Sequence, residues 1–98
     1  MTVLKKIRQL VIADRVIYSY HSVTEKLIEI NLLRNLNLTQ RDIKNVIMTG
    51  EIVEVFDSDE RGRRYAIRGI ALDSETVLEI VCRIKGDLVI ITVYEPYY

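Results

Sequence analysis

The residues of this 98-residue chain best equipped for chemistry are one histidine, one cysteine, and a set of arginines and tyrosines in its second half. His21 directly precedes Ser22-Val23-Thr24-Glu25, whose spacing fits a capping box that opens a helix. At a helix N-terminus the macrodipole disfavours the imidazolium, and a neutral imidazole can act as a general base or an orienting donor. The same ring packed beside Tyr18 or Tyr20 would instead help to cap the helix, and both roles stay open.

The arginines gain meaning from strand phase. Beyond Gly50 the hydrophobic period changes from 3.6 to 2, and four runs read as strands: 51–57, 63–71, 76–83 and 88–95. Thr76, Leu78, Ile80 and Cys82 form one set, as do Tyr65, Ile67, Gly69 and Ala71, and Val89, Ile91 and Val93. The wholly apolar sets are expected to face the helices. The other face then gathers Arg64, Arg68, Glu79, Arg83, Thr92 and Tyr94. Guanidinium groups offer planar forks of donors that suit phosphate and stay charged. The plainer alternative is a solvated face on which Glu79 pairs with an arginine.

Other chemistries find less support. Cys82 is the only cysteine, so neither an intramolecular disulfide nor a cysteine-rich zinc site is possible, and its phase points it into the core. The acidic stretch Asp57-Ser58-Asp59-Glu60 lacks the spacing of a helix-flanked calcium loop and reads as a solvated hairpin tip, neutralised by Arg61, Arg63 and Arg64. There is no phosphate-binding glycine loop, no nucleotide fingerprint and no glycosidase-type carboxylate pair. No metal and no cofactor is expected.

The elements that position these residues begin with an amphipathic helix carrying Leu4, Ile7, Leu10 and Val11. Residues 15–20 (RVIYSY) read as a short strand or extended connector. A helix from Ser22 carries Val23, Leu27, Ile30 and Arg34 on one stripe, and Asn35-Leu36-Asn37 breaks it because Asn tolerates left-handed backbone. Thr39 with Asp42 starts another helix that buries Ile43, Val46 and Ile47. Gly50 is expected to end it at positive φ. The turns between strands are too short for parallel crossovers, so the sheet is expected to be antiparallel. The predicted fold is one α+β domain over residues 1–98, with N-terminal helices on one face of a four-stranded antiparallel sheet and a short extra N-terminal strand as an option.

Composition agrees with one globular unit: 49% apolar and 29% charged residues, with 14 basic and 14 acidic side chains. The zero net charge means that affinity for a polyanion has to come from local clustering. No signal-like or membrane-spanning stretch is read, and a cytoplasmic, reduced protein is the expectation.

Several patches together resemble the domain of unknown function 4258 family. Tyr18-Ser19-Tyr20-His21-Ser22 is similar to its S-x-H-[AS] signature, and Leu38-Thr39-Gln40-Arg41-Asp42-Ile43 to its I-S-x-x-D-I helix start. Gly50-Glu51-Ile52-Val53-Glu54 resembles its lead-in to the sheet. Gly62-Arg63-Arg64-Tyr65 with Gly69 resembles its G-x-R-Y-x-x-x-G strand, and Ile90-Ile91-Thr92-Val93-Tyr94-Glu95-Pro96 its closing strand. The family usually has a basic residue four positions after the histidine, where this chain has Glu25. The resemblance implies a fold similar to the RelE and BrnT toxins, small ribonucleases of toxin–antitoxin pairs.

Two functional readings follow. In one, a toxin-like ribonuclease uses His21 or Tyr94 for proton transfer, with Arg64, Arg68 and Arg83 holding phosphate; its partners would be RNA and a cognate antitoxin. In the other, the chain is a non-catalytic interaction module, a homodimer or half of a protein pair. It would dock through its N-terminal helix and its tail Tyr94-Glu95-Pro96-Tyr97-Tyr98.

Overall fold

A computed structural model describes residues 2–57 and 62–97. The chain runs α1 (Val3–Ile12), β1 (Val16–Tyr18), a π-helical turn η1 (Tyr20–Thr24) continuing into α2 (Glu25–Arg34), α3 (Gln40–Thr49), then β2 (Glu51–Phe56), β3 (Arg64–Ile70), β4 (Val77–Lys85) and β5 (Asp87–Tyr94). The α+β class and the β2–β5 antiparallel meander agree with the sequence reading. The sheet itself differs. It has five strands in the order β1-β5-β4-β3-β2, and β1 runs parallel to β5. The Val16-Ile17-Tyr18 segment pairs with Leu88-Val89-Ile90 and makes the sheet mixed. The long path through the helices allows this parallel pairing, which no short turn could.

One core lies between the helices and one sheet face. Ile7 and Val11 of α1, Val23 of η1, Leu27 and Ile30 of α2, and Ile43, Val46 and Ile47 of α3 pack with Ile67, Leu78, Ile80, Cys82 and Val93. The expected faces hold for β3 and β4 and fail for half of β5. The β4–β5 register pairs Val81 with Thr92 but Cys82 with Ile90, so Ile91 is the extra residue of a bulge. Leu88 and Ile90 are therefore the fully buried residues, while Val89 and Ile91 are only partly buried.

The second helix also starts differently from the expected Ser22–Glu25 capping box. Ser19 is the cap, its hydroxyl accepting from the Ser22 amide at 3.4 Å, and no side chain caps α2. The wide turn that follows buries Val23 completely and leaves Tyr20 exposed. Asn35 ends α2 at φ 53 in the left-handed region, as expected. The Asn31 side chain then holds the next loop, donating to the Leu38 carbonyl at 3.0 Å and accepting from its amide at 2.8 Å.

The Thr39–Asp42 capping box forms as expected. Asp42, nearly buried, accepts from the Thr39 amide at 2.7 Å and from the Leu72 amide at 3.0 Å, tying α3 to the β3–β4 turn. At the other end of α3, Gly50 has φ −88 and ψ −167, not the expected positive φ. Glycine is required there for space. A Cβ would stand 2.4 Å from the Arg68 carbonyl oxygen and 2.6 Å from that of Val46. Gly69 mirrors it, with a Cβ position 3.0 Å from the Gly50 Cα. Arg8 of α1 completes this corner, donating to the carbonyls of Ile47 (3.0 Å) and Gly50 (2.7 Å) at the negative end of α3.

Candidate functional site

The sheet face away from the helices carries its side chains in cross-strand rows. One row reads Glu51–Arg68–Glu79–Tyr94 across β2, β3, β4 and β5. The next reads Glu54–Ala66–Val81–Thr92. The third starts with Phe56 opposite Arg64 and ends with Arg83 opposite Val89 and Val89 opposite Ile17. The β3–β4 register, carried one residue beyond the Tyr65–Cys82 pair, sets Arg64 against Arg83. All six residues expected on this face, Arg64, Arg68, Glu79, Arg83, Thr92 and Tyr94, are on it.

The rows differ electrostatically. Arg68 is committed to Glu79, donating from Nε at 3.0 Å and lying 2.8 Å away through its second terminal nitrogen. Glu79 is buried to 3% exposure, so its carboxylate depends on that guanidinium. The hydrogen bond to Glu79 holds the Arg68 guanidinium above its ordinary high value, with burial working the other way. The tail folds back over it: the Tyr97 ring lies 5.5 Å from the guanidinium carbon and its hydroxyl accepts at 3.4 Å. This row matches the plainer alternative, in which Glu79 pairs with an arginine.

The third row is built of Phe56, Arg64, Arg83, Val89 and Ile17. Arg64 lies over the Phe56 ring at 5.5 Å, and Arg83 stands between it and Val89. The Arg83 Nε is buried and finds no hydrogen-bond partner. Like charges directly opposite on neighbouring strands repel. Among the described residues, Asp57 pairs with Arg63 and Asp87 with Arg15. Glu54 lies one row away, beside Ala66.

His21 stands at the β5 rim of this face. β1 ends beside Ile90, and η1 takes its place along β5, where the Thr92 hydroxyl donates to the Ser22 carbonyl at 3.1 Å. That bond pins the residue next to His21 to the strand that carries Tyr94. The imidazole is 84% exposed; its Nδ1 lies 3.3 Å from Glu25 Oε1, and its ring meets Tyr20 edge-on at 5.5 Å. Glu25, expected to cap a helix, instead orients the histidine from one turn below. Its four-residue spacing on a helix is the signal that could have identified it.

His21, Tyr94, Arg68 and Arg64 thus share a face and its rim but not one tight cleft. Strand spacing puts Tyr94 and Arg68 roughly 10 Å apart, and the four residues from Arg64 to Arg68 span roughly 13 Å. The tail serves internal contacts that the sequence did not reveal, since Glu95 is bound to Arg34 of α2 and Tyr97 to Arg68. Tyr98 and the acidic hairpin residues 58–61 lie outside the described residues. Among the described residues no group of three or more His, Cys, Asp or Glu side chains could hold a metal ion, and no helix is long and apolar enough to cross a membrane.

A family model described as "Domain of unknown function (DUF4258)" matches residues 32–95. The match takes in the Thr39–Asp42 helix start, both glycines of the α3–β3 corner and the closing strand, while Tyr18–Ser22 lies before it. No curated protein and no solved structure matches the chain significantly.

Proposed function

The chain belongs to the domain of unknown function 4258 family, and from that premise we propose that it is a RelE- or BrnT-like toxin ribonuclease whose open sheet face binds single-stranded RNA. The observation that carries this reading is Arg83, whose buried Nε finds no hydrogen-bond partner, on a row of the open face that has the Phe56 ring at one end. Phosphate oxygens would satisfy the buried Arg83 Nε, and bases would stack on Phe56 and Tyr97. His21, oriented by Glu25 through Nδ1, would take the proton of a ribose 2′-hydroxyl at Nε2. The 2′-oxygen would attack the adjacent phosphorus and the P–O5′ bond would break. The leaving oxygen would collect a proton from the Tyr94 hydroxyl or from water, giving a 2′,3′-cyclic phosphate and a 5′-hydroxyl. Arg68 would support the face through Glu79 rather than hold phosphate. A cognate antitoxin would neutralise the same face.

Purified protein is incubated with single-stranded RNA beside Arg83→Ala and His21→Gln variants. Cleavage that His21→Gln abolishes and Arg83→Ala weakens at least tenfold is the expected result. No cleavage by the unaltered protein, or equal cleavage by all three, refutes the reading.

The second reading, a non-catalytic interaction module, is favoured by a different observation. Leu32 is 80% exposed and Leu33 77% on α2, with Ile28 also on the surface of that helix. Light scattering separates the homodimer form: a monomer at every accessible concentration counts against it.

A further inference from the structure

We propose that the cleft between α2 and the end of β5 is a nucleobase pocket selective for guanine. The ligand class rests on the RNA reading above, whereas binding does not require that the chain cleave RNA. The cleft arises because β1 stops beside Ile90, so the C-terminal part of β5 is bordered by helix instead of a sheet partner. Its volume is about 270 Å³, below the range of drug-sized ligands and suited to one planar ring system.

Its surfaces are divided by chemistry. Ile30 and Val93, both buried, form an apolar floor, and Leu33 and Tyr94 form walls that rise into solvent. An aromatic wall beside an aliphatic one is a stacking slot, favourable for any base. Discrimination has to come from the polar end. There the Glu95 side chain is 7% exposed and is held through Oε2 by Arg34. Arg34, Lys26 and Glu29 also line the cleft. A fixed, nearly buried carboxylate offers only acceptor positions, so the ligand edge that meets it must present donors.

Guanine presents two adjacent donors, N1–H and the N2 amino group, to one carboxylate. Uracil presents a single N–H flanked by carbonyl oxygens that the carboxylate repels. Adenine and cytosine present an amino group beside an unprotonated ring nitrogen, which faces the carboxylate lone pairs unfavourably. The pocket also has the right position. Tyr94 belongs to both the cleft and the open face, and η1 with His21 leads directly into α2. A base seated there would send its ribose towards the His21 rim.

The test is an NMR titration of the full chain with GMP, AMP, CMP and UMP, and with an RNA hexamer containing one guanine. GMP is expected to shift Leu33, Tyr94 and Glu95 and to bind about fivefold or more tighter than UMP. Glu95→Gln is expected to erase that preference. Because Glu95→Gln also disturbs the Arg34 pair, Leu33→Asp serves as the fold-neutral variant: it adds a charge to an exposed wall and is expected to lower GMP binding at least tenfold. Equal binding of all four nucleotides, shifts elsewhere, or unchanged binding by Leu33→Asp overturns the proposal. GMP binding as tightly as the hexamer would overturn its assignment to RNA in favour of a free nucleotide. Guanine-selective binding without cleavage refutes only the ribonuclease reading, and cleavage indifferent to base and to Leu33→Asp refutes only the pocket.

Discussion

Gly50→Ala is expected to destabilise the domain although its backbone angles suit alanine. At φ −88 the substitution relieves the unfolded chain of conformational freedom, which alone would stabilise by about 0.4–1 kcal/mol. Against this, the new Cβ meets the Arg68 carbonyl oxygen at 2.4 Å, the Val46 carbonyl oxygen at 2.6 Å and the Arg68 carbonyl carbon at 2.9 Å. Real Cβ contacts essentially never fall under 3.0 Å, and all three obstacles are backbone, so no rotamer change relieves them. Either β3 or the last turn of α3 must move. Overpacking of this kind costs about 1–3 kcal/mol, and three backbone clashes put this case in the upper half of that range, leaving a net loss of about 1–2.5 kcal/mol. For a domain of this length that lowers Tm by roughly 5–15 °C. Gly86→Ala is the control, since Gly86 sits at φ 72 in open space and its substitution strains only its own turn. Urea denaturation of both variants reads the difference as a midpoint shift at constant m. The displaced segment includes Arg68, so Gly50→Ala should also disturb the Arg68–Glu79 pair, visible in the side-chain resonances of Arg68. A Gly50→Ala protein as stable as the parent chain would refute the steric account of this corner.

Asp42→Ala leaves the Thr39 and Leu72 amides without their acceptor, and should cost about 1–3 kcal/mol in the same denaturation assay. Asp42→Asn, which keeps one acceptor oxygen, should recover part of that loss. Burial pushes the Cys82 thiol up to about 12. Native protein is therefore expected to resist a thiol reagent at pH 8 that labels the unfolded chain within minutes. With the folded value above the ordinary 9.0, Cys82 contributes stability below pH 9 that is lost as pH rises towards 12, and Cys82→Ala should flatten that alkaline limb.

Much of the fold was legible because β3 and β4 alternate unambiguously: Tyr65, Ile67 and Gly69 against Arg64, Ala66 and Arg68 leave one choice of face. β5 did not, because Leu88 and Ile90 are as apolar as Val89 and Ile91, so alternation could not register the bulge at Ile91. The parallel pairing of β1 depends on a partner some seventy residues away and leaves no local trace. Gly50 marks a helix end in the sequence but not the reason for it, since a glycine required for space looks the same in sequence as one required for positive φ. In the candidate site, co-facial placement of the arginines with Tyr94 followed from period 2 alone. The position of His21 relative to them did not, because it is set by a single long-range bond, Thr92 to Ser22.

Two arginines with the same strand phase have opposite circumstances, and this determines which substitution reports on function. Arg68 stands opposite a buried glutamate, whereas Arg83 stands opposite a valine and another arginine. Removing Arg68 leaves the Glu79 carboxylate buried and uncompensated, a penalty that falls on the fold before any chemistry is measured. Removing Arg83 takes away a side chain whose buried Nε has no hydrogen-bond partner. Arg68→Ala alone is therefore expected to lower both stability and RNA binding, and Arg68→Ala with Glu79→Leu to restore stability. If RNA binding returns with stability in the double variant, Arg68 acts only through Glu79, and the phosphate contacts belong to the Arg64–Arg83 row. If the double variant is stable and still fails to bind while Arg83→Ala binds normally, the two rows have exchanged roles and the electrostatic argument is refuted.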